Sequence, residues 1–100
     1  MSDKVCGYIY IIESASTGKY YLGSTIDPDN RLMEHNSGES PSTRNKGPWF
    51  FVAIIEFETI VDARRTEQWL KRMHRKEVVD MIIDKSFDWS SETKFVKYLL

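Results

Sequence analysis

Val5 to Ile12 is an almost unbroken apolar and aromatic run, and Lys19 to Thr25 is a second short run rich in Tyr. Between them lies only the small polar segment Ser14-Ala15-Ser16-Thr17-Gly18. Two β-forming stretches this close, joined by Ser, Thr and Gly, are best satisfied as an antiparallel hairpin. That hairpin constrains the chain more than any other feature, because it sets Gly7-Tyr8-Ile9-Tyr10 beside Tyr21-Leu22-Gly23. The phenols of Tyr10 and Tyr21 then become cross-strand neighbours.

The rest of the chain supplies what a hairpin needs to bury its apolar side. Asp27 followed by Pro28 reads as a helix start, with a capping carboxylate and a proline tolerated at the first helical position. This helix runs to about Asn36 and stops at Gly38. Gly38 to Pro48 carries glycines, prolines and small polar residues and reads as a loop around the edge of the fold, mobile enough for substrate entry. Trp49 to Phe57 is a strongly apolar strand for the middle of the sheet, followed by a helix that Asp62 is placed to cap. Thr66, Trp69, Leu70 and Met73 form the buried stripe of that helix. A third helix starts near Lys76, with Val78, Val79, Ile82 and Ile83 as its apolar positions, and Ser86 to Trp89 breaks it. In the tail, Phe95, Val96, Leu99 and Leu100 share a face if residues 91–100 form a further short helix. The order strand, strand, helix, strand, helix, helix predicts an α+β fold, a small three-stranded antiparallel sheet flanked by helices.

At 100 residues, 41% of them hydrophobic, the chain holds one hydrophobic core and makes one domain over residues 1–100. A formal net charge of -1 is far from the strongly basic balance of a nonspecific nucleic-acid coat. The distribution says more than the sum, since Arg64, Arg65, Lys71, Arg72, Arg75 and Lys76 crowd one segment and leave a local basic patch. Cys6 is the only cysteine, so no intrachain disulfide forms, and its apolar setting predicts a buried thiol. No secretory leader pattern and no run of about 20 apolar residues occurs, so the expected location is cytoplasmic, with no membrane partner.

Hydrolysis of a phosphodiester needs a proton acceptor for the attacking water, compensation for charge on the phosphoryl oxygens, and help for the departing oxygen. Tyr10 and Tyr21 are candidates for the first, although a phenol with a pKa near 10 is a poor base at neutral pH without help. The plain reading of the pair is aromatic packing in a hairpin. Arg31 and His35 lie four positions apart and share one helix face, where they suit phosphate and water, or else are a solvated Arg and a satisfied His. Ser24 and Thr25 offer hydroxyl or amide donors to phosphate, or simply end the strand. Glu67, inside the basic helix, is either an ion-pair partner of Arg64 or Lys71 or the protein ligand of one Mg²⁺ or Mn²⁺. Arg64 and Lys71 add further candidate phosphate contacts.

The ordered set Tyr8-Ile9-Tyr10, Tyr21-Leu22-Gly23, Arg31 to Gly38 with its Arg-x-x-x-His and Asn-Ser-Gly pattern, and Arg65-Thr66-Glu67 resembles the GIY-YIG nuclease superfamily. It looks most like short stand-alone bacterial members, which are similar to the N-terminal catalytic domain of the excision-repair nuclease and to structure-selective junction and flap endonucleases. The resemblance implies a metal-dependent DNA endonuclease of DNA repair type, with Tyr10 and Tyr21 as paired phenols, Arg31 and His35 on the phosphate side, and Glu67 holding Mg²⁺ or Mn²⁺. One tyrosine, assisted by the other or by His35, would deprotonate the attacking water. Ser24 departs from the lysine common after the glycine in the repair branch, and no appended DNA-binding domain is expected. Those departures keep alternatives open. One is a catalytically weak DNA-binding or partner-binding module on the same fold, with a delivering protein or a second copy as partner. Another is an oligomerisation domain with an apolar surface around Trp89, Phe95, Leu99 and Leu100.

Overall fold

A computed structural model describes residues 5–73 and 76–100. The hairpin forms as the sequence requires. Strand β1, Gly7–Ser14, pairs antiparallel with β2, Tyr20–Thr25, with Tyr10 opposite Gly23 and Ile12 opposite Tyr21. The two phenols are therefore diagonal neighbours rather than directly opposed. Ser14 closes the turn, since its backbone N–H donates to the Lys19 carbonyl (2.9 Å) and its hydroxyl accepts from the Ser16 and Thr17 N–H groups. Gly18 enters the left-handed region at φ 74°, which glycine adopts at little cost.

Helix α1, Pro28–Ser37, begins and ends as its sequence predicts: the Asp27 carboxylate accepts from the Asn30 N–H at 3.2 Å, and Gly38 caps the other end at φ 84°. Strand β3, Trp49–Phe57, pairs with β1 along its whole length and lies inside the sheet. Helix α2, Ile60–Met73, starts three residues earlier than a cap at Asp62 would set it. Thr59 is the cap, its hydroxyl accepting from the Asp62 N–H (3.1 Å) and donating to the Asp62 carboxylate (2.8 Å), so Asp62 reaches back from the first turn. The start of α2 rests on Gly7, where a Cβ would lie 2.3 Å from the Ile60 Cα. Ala63, Thr66 and Leu70 are its buried residues, with Trp69 and Met73 half-buried beside them. Helix α3, Lys76–Ile83, buries Val78 and Ile82.

The tail departs from the helical expectation. Ser91–Thr93 is a single 3₁₀ turn, Lys94 bends the chain at φ 63°, and Phe95–Tyr98 is a fourth strand, β4, on the free edge of β3. The sheet therefore has four strands, ordered β2-β1-β3-β4, rather than three. Long-range pairing decides this, because Leu99 N–H reaches the Ile54 carbonyl at 2.8 Å and a helix over the same residues would forgo the β3 edge. The apolar surface expected around the tail divides accordingly. Trp89 is buried, stacked on Phe95 at 5.5 Å and set edge-on to Phe57, while Leu99 and Leu100 are exposed. Cys6 is exposed rather than buried, because it precedes the first paired residue of β1.

Strand β1 is buried on both faces. Ile9 and Ile11 join Ala53, Ile55 and Phe57 under α2 and α3, forming the main core. Tyr10 and Ile12 point the other way and form a second cluster with Trp49, flanked by Tyr21, Leu32 and Phe51. No helix among the described residues is long and apolar enough to cross a membrane.

Candidate active site

The alternation of β1 and β2 distributes the candidate residues over both faces of the hairpin. Tyr10, Gly23 and Tyr21 share one pleat face, and Ile9, Ser24 and Leu22 share the other, so side chains reaching from α1 and α2 meet around β2, an edge strand. Gly23 is what allows this. A Cβ there would lie 2.6 Å from the Tyr10 Oη, so the phenol passes directly over a backbone that has no side chain.

On the α1 face, Tyr10 and His35 are almost fully enclosed, at 1% and 2% exposure, and the Tyr10 Oη lies 2.8 Å from His35 Nε2. The other imidazole nitrogen, Nδ1, lies 2.7 Å from the hydroxyl of Thr43, itself buried in the loop after α1. Tyr21 is half-buried, with its ring 4.9 Å from the His35 ring and 6.3 Å from the Tyr10 ring. Burial drives the Tyr10 phenol well above its ordinary range, the Arg31 charge pulling the other way and the Tyr21 and Glu67 charges adding to the rise. Burial, with the Arg31 charge in support, lowers His35 to about 4, so its imidazole is neutral at neutral pH. Arg31 holds Glu34 at 2.7 Å in a partly exposed pair.

On the α2 face, Glu67 is held at both oxygens. The Ser24 hydroxyl donates to Oε1, and the Lys71 ammonium lies 2.6 Å from Oε2 and 5.7 Å from the centre of the Tyr21 ring. Lys71 thus connects the carboxylate to the phenol around the strand edge. Arg64 is exposed one turn earlier on α2 and makes no ion pair with Glu67, and the Thr25 hydroxyl accepts from the Asp27 N–H at the entrance to α1. Arg65, Arg72 and Lys76 are exposed as expected of a basic face, and Arg75 lies outside the described residues. A cleft of about 730 Å³ opens beside Tyr21 and Lys71, with Leu22, Leu70 and Val79 in its wall and Lys19 and Lys76 at its border.

No group of three or more His, Cys, Asp or Glu side chains converges among the described residues. Glu67 is a hard oxygen donor of the kind Mg²⁺ and Mn²⁺ accept, with the Ser24 oxygen next to it. Such an ion fits here only if it keeps most of its shell as water or substrate oxygen and if Lys71 leaves Oε2.

Two supporting residues take roles that the sequence alone does not assign. Thr43 lies eight residues beyond His35 in an irregular loop, where no periodicity marks it. Asn36 acts through its amide, which accepts from the Trp49 N–H at 2.7 Å and donates to the Trp49 carbonyl at 3.1 Å, tying the end of α1 to the start of β3. Only the Asn-Ser-Gly pattern hints at it.

Fold and site together define a class: a small α+β domain with paired tyrosines, an imidazole and a guanidinium on one face of a hairpin and a carboxylate on the other. The chain matches the GIY-YIG catalytic domain over residues 6–93 and belongs to that family. It is 33% identical to a UPF0213 protein of Halalkalibacterium halodurans over 88 residues, covering 87% of this chain and 93% of that one. A UPF0213 protein of Enterococcus faecalis is 34% identical over 77% of this chain and 90% of its own length. A structure-specific endonuclease subunit SLX1 homolog of Brugia malayi is 35% identical over 69 residues, 59% of this chain and 21% of that protein. No solved structure matches.

Proposed function

We propose that this protein is a metal-dependent endonuclease that hydrolyses DNA phosphodiester bonds. The observation that carries the reading is the convergence of Tyr10, Tyr21, His35 and Arg31 with the Ser24–Glu67–Lys71 cluster around the edge of β2, in a chain of the GIY-YIG catalytic-domain family. Family membership alone supports a nuclease fold. The side chains support the chemistry.

Tyr21 is the phenol open to solvent and meets the attacking water. Tyr10 is protonated at neutral pH, so it takes a proton from that water only as its own proton passes to His35 Nε2, 2.8 Å away, which the neutral imidazole accepts in the tautomer that leaves this nitrogen bare. Arg31, whose side chain is about one-third exposed, exchanges Glu34 for a nonbridging phosphate oxygen. Glu67 and the Ser24 hydroxyl would hold a Mg²⁺ or Mn²⁺ ion, which when bound supplies charge neutralisation at the phosphate and the leaving oxygen. Lys71, displaced from Oε2, remains close enough to Tyr21 to meet the phosphate instead. Structured DNA belongs among the substrates to try, because the Brugia malayi relative is a homolog of a structure-specific endonuclease subunit. The likeness to the excision-repair nuclease rests on the motifs alone.

The test is cleavage of labelled duplex, flap and four-way DNA at low salt with Mg²⁺ or Mn²⁺, beside an EDTA control and the Glu67→Gln and Tyr21→Phe proteins. Metal-dependent nicking that drops about 100-fold or more in both variants is expected. Full activity in both variants overturns the site. No cleavage of any substrate, with DNA binding retained, would turn the reading to a binding module.

A further inference from the structure

The histidine of this site is held by a residue outside the family motifs. His35 makes two close contacts from a nearly sealed position: Nε2 with the Tyr10 Oη at 2.8 Å and Nδ1 with the Thr43 Oγ1 at 2.7 Å. A neutral imidazole carries one N–H and one bare nitrogen, so the two contacts run in opposite senses, and what lies beyond Thr43 decides which. Beyond it is the Ser40 backbone carbonyl, 3.5 Å from the Thr43 Oγ1. A carbonyl only accepts. With the Thr43 hydroxyl donating to Ser40, its oxygen accepts from Nδ1–H, which leaves Nε2 bare to accept from the Tyr10 hydroxyl.

Thr43 is itself fixed from three directions. Its backbone N–H donates to the same Ser40 carbonyl at 3.2 Å, its carbonyl accepts from the Trp49 indole at 3.2 Å, and its side chain is 1% exposed. Trp49 in turn is clamped by the Asn36 amide one residue beyond His35. The loop between α1 and β3 is thus a bracket built against the imidazole. No buried side-chain polar atom among the described residues lacks a partner, so both imidazole nitrogens and the Thr43 hydroxyl are engaged.

We infer that Thr43 is a positioning residue that locks His35 in its Nδ1–H tautomer and so presents Nε2 as the acceptor for the Tyr10 proton. In turnover the water oxygen forms its bond to phosphorus as the bond to the leaving oxygen breaks, and the electron pair departs with that oxygen. The water proton moves to the Tyr10 Oη as the Tyr10 proton moves to His35 Nε2, and the same proton count returns when the leaving oxygen or solvent is protonated. The imidazolium formed keeps its Nδ1–H bond to Thr43 unchanged, so the acceptor needs no reorganisation. In the opposite tautomer Nε2 is already protonated and Tyr10 has nowhere to send its proton.

The role in turnover rests on the nuclease reading, whereas the tautomer does not, and the experiment separates them. Long-range ¹H–¹⁵N NMR correlation on protein labelled at histidine reports which ring nitrogen carries the proton. The chain has two histidines, so a His74→Gln background leaves the His35 ring alone. The expected spectrum shows Nδ1 protonated and Nε2 bare in the parent and in Thr43→Ser, and a mixed or reversed ring in Thr43→Val. DNA cleavage is expected to lose about 10- to 100-fold in kcat with KM unchanged in Thr43→Val, and to recover in Thr43→Ser. A parent ring protonated at Nε2 overturns the inference, and it does so even if Thr43→Val fails to fold. So does a Thr43→Val protein with the parent tautomer and parent kcat. An Nδ1–H ring in a protein that cleaves nothing supports the tautomer lock and counts against the nuclease reading alone.

Discussion

Gly23 shows how a single missing side chain creates the site. The Tyr10 phenol crosses the hairpin at the one position where the neighbouring strand offers no Cβ, and this brings it onto His35. Gly23→Ala is expected to push the phenol aside and to cost about 1–3 kcal/mol of stability, the usual result of overpacking a filled interior. Urea denaturation measures the loss, and an unchanged midpoint would show that the ring has room to spare. His35 carries a second residue-scale expectation. Burial takes it from the ordinary 6.5 to about 4, so between those values the unfolded chain binds a proton that the folded chain refuses. The stability it contributes is whole above about pH 6.5 and declines as pH falls toward 4. Urea midpoints at pH 7.5 and 4.5 should fall further for the parent than for His35→Gln. Equal falls would place the titration elsewhere.

At the scale of the element, the ends of α1 matter more than its middle. Asp27 caps its start and Asn36 ties its end to Trp49, so the helix that carries Arg31 and His35 is anchored at both termini. Asp27→Ala is expected to cost about 1 kcal/mol, read from the urea midpoint. Asn36→Ala strips a partner from each of two Trp49 backbone groups, and a loss larger than that of Asp27→Ala, about 1–3 kcal/mol, is expected in the same measurement. Elements of this kind were legible in the sequence because their signals are local: Asp-Pro at one end, Gly at the other, and an apolar run for β3 whose bounds hold in the structure. Tyr10, Tyr21, Arg31, His35 and Glu67 stand out in the sequence as an ordered set, and their roles belong to the proposed function. The tail was not legible, since Phe95, Val96, Leu99 and Leu100 satisfy a helical stripe while the residues that make β4 a strand are the distant Ile55, Glu56 and Phe57. Thr43 also escapes, because its meaning lies in which partner the fold brings to it, whereas the Glu67–Lys71 pair follows from i,i+4 spacing and forms as read.

Taken whole, the molecule concentrates positive charge where the site opens, despite a net charge of -1. Lys19 from the hairpin turn and Lys76 from α3 border one cleft beside Tyr21, Lys71 from α2 stands there paired with Glu67, and no carboxylate is among the described lining residues. On the nuclease reading this basic mouth is where a polyanion binds, and counterions released by the nucleic acid contribute to the free energy. Binding to a short duplex, measured in EDTA so that no bond is broken, should therefore weaken steeply as salt is raised. Lys76 is exposed, so Lys76→Glu removes a cation without disturbing the core. If Lys76 meets a phosphate, that variant binds more weakly at every salt concentration. Its plot of log K against log salt should also be shallower by about 0.9, the contribution of one phosphate contact on B-form DNA. A parallel line, shifted or not, would mean that Lys76 acts through the general field alone and that the DNA enters from the Arg31 side of the hairpin.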